Sequence, residues 1–229
     1  GANNAFPVEF LADNVRIQSN LMEAAHAADV EKFIFLGSSC IYPRDCAQPI
    51  KEEYLLTGPL EETNSAYAIA KIAGIELIKS FRKEYGRTWI SLMPTNLYGP
   101  NDNFDLETSH VLPAMIRKFH EAKLNGYPTV KLWGTGSPKR EFLHVDDLAK
   151  ATLFSLENNF EEFLYNVGSE EDITIKELSD LVKLIIEYKG EIEWDISKPN
   201  GTPRKIMDSS KFKSKGWNFT TTLENGLKE

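Results

Sequence analysis

Residues 64–94, NSAYAIAKIAGIELIKSFRKEYGRTWISLMP, read as a long helix that delivers the chain into a buried strand. Over 64–84, Tyr67, Ala70, Gly74, Leu77 and Phe81 recur at the spacing that lines up one stripe of a helix. WISLMP, 89–94, is too short for a free helix, and Pro94 has no amide to donate, so it reads as a strand covered on both faces. Upstream, KFIFLG at 32–37 carries the same signature. Strand, helix and strand in succession make the crossover unit of a parallel sheet.

The alternation continues downstream. The loop TNLYGPNDNF leads to a helix near 110–124, and VKLWG at 130–134 is the next short strand. A turn TGSPKR, the run REFLHV and a helix opened by Asp146 or Asp147 follow, with His144 reading as a packing or capping residue. FLYNVG, a helix begun by the capping pair Thr174 and Glu177, the strand-like IEWD and the loop SKPNGTPRK complete the chain. These observations predict an α/β fold: a Rossmann-like parallel sheet with a smaller mixed α/β substrate-binding part. Residues 1–105 would be the later portion of a dinucleotide-binding domain. Residues 106–229 would be mainly substrate-binding, with about 140–160 returning to the first domain.

At the start, GANNAFPVEF enters a helical pattern in which Phe10, Ile17, Leu21 and Ala24 share a face. No strand precedes it. At the end, Thr222 caps a further helix that stops almost at once. The expectation is a piece of a longer chain whose first sheet strands are missing, leaving a sheet edge and apolar surface exposed.

The 229 residues suffice for a substantial core, at 41% hydrophobic and 26% charged, with no apolar run of membrane-spanning length. A net charge of −8 is the wrong sign for wrapping nucleic acid or an anionic membrane, so an anionic ligand would need a local basic pocket. Cys40 and Cys46 form no disulfide framework, no secretory signal opens the chain, and a reducing cytoplasm is the expected home. No His/Cys/Asp group has metal-ligand spacing.

In parallel sheets ligands gather beyond the carboxyl ends of the strands, where this chain places GSSCIYP at 37–43 and PTNLYGP at 94–100. On the long helix, Tyr67 and Lys71 are four apart and share a face. A cation beside a phenol favours the phenolate and is expected to draw Tyr67 down toward a working range. Ser38 and Ser39 could bond the same substrate oxygen, and Lys71 could hold a cofactor's ribose hydroxyls. Each residue also has a plain reading: Cys40 as a small buried hydrophobe, His110 as a helix opener, Trp133 as core, Asp146 and Asp147 as partners of a helix dipole, and Cys46 as a bystander.

FLGSSCIYP, NSAYAIAKIAGIE, MPTNLYGPNDNF, SHVLPAMIRKFHEA, LWGTGSPKREFLHVDDLA and SKPNGTPRKIMD together resemble, in order, the extended short-chain dehydrogenase/reductase family. The match is to its members that epimerise carbons 3 and 5, and then reduce carbon 4, of GDP-4-keto-6-deoxy-D-mannose. The resemblance implies an NADPH-dependent enzyme with a reductive triad of Ser38, Tyr67 and Lys71 and an epimerising pair of Cys40 and His110. It places Leu36, Gly37, Ser38, Ser39, Lys71, Pro94, Thr95, Asn96, Leu97 and His110 along NADP(H). Lys118, Trp133, Arg140 and Asp208 would take the GDP-sugar, and the face of the long helix would form a homodimer. The family's Gly-rich turn is absent here, because GTG at 134–136 runs into SPKREF rather than a helix. Another nucleotide-sugar epimerase or dehydratase, and a non-catalytic nucleotide-sugar-binding piece, are the competing readings.

Overall fold

A computed structural model describes residues 5–229. Helix α1 (Pro7–Ala27) precedes strand β1 (Ile34–Leu36), and helix α2 (Ser65–Tyr85) connects β1 to β2 (Ile90–Pro94). The strands β1, β2 and β6 (Leu164–Val167) form a parallel sheet with β2 in the middle, Ile34 opposite Ile90 and Ser91 opposite Leu164. Alternation along the strands builds two cores. Phe35, Met93 and Leu164 point into the layer of α1 and α2, with Met22, Ile75 and Ile78. Ile90, Leu92, Tyr165 and Val167 point to the opposite layer, where helix α4 (Val145–Glu157) contributes Leu148 and Ala151.

The second half is mixed. Strand β3 (Asn96–Tyr98) runs parallel to β5 (Lys139–His144), which also pairs antiparallel with β7 (Asp172–Thr174) and parallel with β9 (Arg204–Lys205). Strands β4 (Thr129–Trp133) and β8 (Glu191–Asp195) form a parallel pair. Helices α3 (Val111–Asn125) and α5 (Ile175–Ile186) close a third core around Phe119, Leu132 and Leu178. Short helices α6 (Ser210–Lys213) and α7 (Leu223–Lys228) finish the described chain.

Several local readings hold. Thr174 and Glu177 form the reciprocal capping box of α5, and Thr222 caps α7 through Asn225 N–H. The His144 Nδ1 accepts from Asp146 N–H at 3.3 Å as the cap of α4, whose first turn contains Asp146 and Asp147.

Three readings are corrected. Part of the expected loop TNLYGPNDNF is β3, and part of SKPNGTPRK is β9; both are stabilised by pairing with β5, far away in sequence. The apolar face expected on the first helix does not meet the core: Ile17 and Leu21 are 59% and 57% exposed. Gln18 and Met22 are buried instead, because Gln18 Nε2 donates to the Ala70 carbonyl of α2 at 2.6 Å. The two helices meet at Gly74, where an added Cβ would sit 2.4 Å from the Phe35 ring. Among the described residues, no helix is long and apolar enough to cross a membrane.

Candidate active site

Beyond the carboxyl ends of β1 and β2 lies a cleft of about 750 Å³. One wall follows from how β1 ends. Ser38 accepts the Cys40 amide on its hydroxyl at 3.4 Å, starting a tight turn over Ser39–Ile41 that leaves Cys40 half-buried on the cleft. Gly37, Ser38 and Ser39 line the same wall, and Pro94 to Leu97 line the next, where β2 passes into β3. Asn96 is aimed by β5, its Nδ2 donating to the Glu141 carbonyl at 2.8 Å. Tyr67 enters from the first turn of α2 and His110 from the cap position of α3.

Ser38, Cys40, Tyr67 and His110, scattered over 73 positions of sequence, thus share one cleft with the Pro94–Leu97 wall. Lys71 sits one turn behind Tyr67. Its Nζ donates to the carbonyl of Leu36 at 2.9 Å and lies 5.6 Å from the Tyr67 ring and 5.0 Å from the Phe35 ring.

The expected lowering of the phenol does not arise. Burial pushes Tyr67 up, and the neighbouring Cys40 pushes it further in the same direction. Lys71 is itself drawn down by burial, with its ammonium engaged by the Leu36 carbonyl. Tyr67 therefore keeps its proton at neutral pH, the state in which it can donate one.

The four residues expected to hold the GDP-sugar do not line this cleft. Trp133 is 66% exposed, so it is not core; Lys118 Nζ and Lys198 Nζ stand 6.0 and 5.6 Å from its ring. Lys118 also donates to the Lys131 carbonyl at 3.2 Å. Arg140 lies opposite Lys205 in the β5–β9 register, and burial draws its guanidinium down. Asp208 accepts the Ser210 amide at 3.0 Å and lines no part of the cleft.

Phe10 and Lys205 are among the cleft residues that the sequence did not assign to the site. Phe10 of α1 meets Tyr67 edge to face at 6.2 Å. Lys205 lines both the main cleft and a smaller one beside it, in each case with Cys40. Burial draws Lys205 down and Cys40 draws it up. Its only sequence signal was membership of SKPNGTPRKIMD.

A parallel sheet whose strand ends carry a serine, a half-buried Tyr-x-x-x-Lys pair and an open cleft defines a nucleotide-cofactor oxidoreductase of the short-chain type. The chain belongs to the NAD dependent epimerase/dehydratase family, whose model matches residues 1–168. It is 54% identical over 228 residues to GDP-L-fucose synthase 1 of Arabidopsis thaliana, covering 100% of this chain and 71% of that protein. It is 49% identical over 235 residues to GDP-L-fucose synthase of Escherichia coli, covering 99% and 73%. The crystal structure of a GDP-L-fucose synthetase from Naegleria fowleri bound to NADP superposes with a TM-score of 0.90 at 31% identity, covering 98% of this chain and 72% of that one.

Proposed function

We propose that this chain carries out the NADPH-dependent 3,5-epimerisation and 4-reduction of GDP-4-keto-6-deoxy-D-mannose to GDP-L-fucose. The observation that carries the reading is the meeting of Ser38, Cys40, Tyr67 and His110 in one cleft, in a chain about half identical to GDP-L-fucose synthases.

The donor set suits a nicotinamide dinucleotide. The Lys71 ammonium uses one proton on Leu36 and has two more for ribose hydroxyls, while Pro94 to Leu97 offer a wall for the nicotinamide side. The hydride for carbon 4 is what bound NADPH supplies. The chain's own residues do the rest. A ketone at carbon 4 acidifies the protons on carbons 3 and 5; Cys40 and His110 remove one from one face and return one from the other. Tyr67 steadies each enolate oxygen by hydrogen bonding, and in the reduction it gives its proton to the carbon 4 oxygen while Ser38 holds that oxygen in place. Outside the cleft itself, Arg140 and Lys118 would neutralise the diphosphate and Trp133, 66% exposed, would offer a flat face to the nucleotide.

The reading extends to assembly and place. Ile17 and Leu21, one turn apart on α1, and Ile69 on α2 are exposed apolar side chains, which supports a homodimer packed through these helices. Two unpaired cysteines suit the cytoplasm. Residues 1–105 serve the cofactor and 106–229 mainly the sugar nucleotide, with about 140–160 returning to the first part.

The test is NADPH oxidation, followed by nicotinamide fluorescence, with GDP-4-keto-6-deoxy-D-mannose and with a UDP-hexose. Oxidation dependent on the GDP-keto sugar supports the reading; turnover of a UDP-hexose without net NADPH consumption favours an epimerase of the same family.

A further inference from the structure

Glu141 is completely buried on β5, between the cleft's cofactor wall and the segment that carries Lys205. A buried carboxylate is costly unless its oxygens are hydrogen-bonded. Here no cation lies within ion-pair distance among the described residues; the partners are backbone amides from two separate loops and the Thr95 side chain. Glu170 N–H donates to Oε1 at 2.7 Å and Met207 N–H to Oε2 at 3.0 Å. Burial pushes the carboxyl up on balance, opposed by these two amides and by the Thr95 side chain. The same residue's backbone carbonyl accepts from Asn96 Nδ2 at 2.8 Å.

The geometry matters because β9 is only two residues long; beyond it the chain is held from one side by Ile50, whose N–H donates to the Ile206 carbonyl at 2.8 Å, and from the other by Glu141. Lys205 pairs with Arg140, and two residues further on the Met207 amide is pinned by the neighbour of Arg140. We propose that Glu141 is a positioning residue: by gripping the amides of Met207 and Glu170, its carboxylate holds the Lys205 segment so that the ammonium stands at the cleft beside Cys40. The carbonyl holds Asn96, whereas the carboxylate grips the Lys205 segment and also bonds the Thr95 side chain. Changing the side chain therefore disturbs the Lys205 wall and leaves the Asn96 bond in place.

The inference takes the cleft of the proposed reaction as its setting, yet its test needs neither NADPH nor sugar. Iodoacetamide labelling of Cys40, located by mass spectrometry, reads the access and the charge around its sulfur, where the Lys205 ammonium stands. The cations that reach Cys40 are Lys71 from α2 and Lys205 from β9; Tyr67 is the titratable neighbour. In Glu141→Gln, an amide NH2 replaces one oxygen and faces a backbone N–H, so one grip is lost. Glu141→Gln and Lys205→Met are each expected to slow Cys40 labelling at pH 7 by about threefold, and the double variant no further than Lys205→Met alone. Gly168→Ala gives an independent perturbation without a change of charge, since its Cβ would sit 2.2 Å from Oε1 and displace the carboxylate. It is expected to slow labelling in the same way.

A purely structural Glu141 gives the contrary result: Glu141→Gln and Gly168→Ala melt earlier but label at the wild-type rate, or the effects of Glu141→Gln and Lys205→Met multiply in the double variant. Either outcome overturns the proposal. Failure of the NADPH assay would instead strike the proposed reaction and leave this result standing. With the reaction in hand, Glu141→Gln should raise KM for the GDP-sugar several-fold, more than it weakens NADP binding.

Discussion

Lys71 reaches from α2 to the last residue of β1, its Nζ donating to the Leu36 carbonyl at 2.9 Å. That bond ties the helix to the strand end where the cleft begins, and so sets where Tyr67, one turn earlier, presents its hydroxyl. It also explains why the ammonium does not draw the phenol down: it is anchored to a carbonyl and stands 5.6 Å from the ring.

Removing the Tyr67 hydroxyl should abolish chemistry without harming the fold, since no hydrogen bond to another described residue engages it and Tyr67 borders open space. Tyr67→Phe is expected to cut kcat by a factor of roughly 10²–10⁴ while changing stability by less than about 0.5 kcal/mol. Steady-state kinetics and a thermal melt on the same preparation check both halves.

The raised phenol fixes the sign of a pH effect. Reduction needs Tyr67 protonated, and burial followed by Cys40 pushes its proton loss upward. With substrate already epimerised, the hydride step should stay level through neutral pH and fall only above about pH 10. A fall beginning near pH 7 would show that a different acid serves.

Asp147 is buried at the start of α4 and holds the C-terminal segment, accepting from Thr220 Oγ1 at 2.7 Å, Thr221 N–H at 2.8 Å and Lys150 Nζ at 3.2 Å. Burial alone would raise its carboxyl, but these bonds outweigh it and hold it below the usual range. Asp147→Ala should cost about 1–3 kcal/mol at pH 7. Because the folded value lies below the unfolded one, this contribution is full above about pH 4 and drains as pH falls through the folded value. The difference between the melts of the two proteins should narrow as pH is lowered from 7 to 3.

Gly74 sits where α2 packs on both the Phe35 ring of β1 and Gln18 of α1. An added methyl would lie 2.4 Å from the Phe35 ring and 3.0 Å from Gln18 Cδ, both fixed by packing. Gly74→Ala, ordinarily a gain in a helix, should here lose about 1–3 kcal/mol, read as a lower midpoint in urea. A gain would mean that α1 can move off α2.

Much of this site was legible because its signals are local. A four-residue spacing puts Lys71 behind Tyr67 on any helix, a short apolar run ended by Gly37 or Pro94 reads as a strand end, and Thr174 and Glu177 bond within one turn. What was not legible depends on distant pairing. The strand Asn96–Tyr98 exists through register with Phe142–His144, and Lys205 reaches the cleft through a two-residue strand beside Arg140. The buried side of α1 was misread because Gln18, a polar residue, seeks the Ala70 carbonyl on another helix, leaving Ile17 and Leu21 outside. No periodicity count registers such a bond.

The central claim, one cleft serving both epimerisation and reduction, is tested most directly by turnover of GDP-4-keto-6-deoxy-D-mannose with NADPH in heavy water, followed by locating deuterium in the product. GDP-L-fucose labelled at carbons 3 and 5 is the predicted result, and Cys40→Ala should abolish the label. Reduced product with no deuterium at either carbon, or label that persists in Cys40→Ala, would contradict the account.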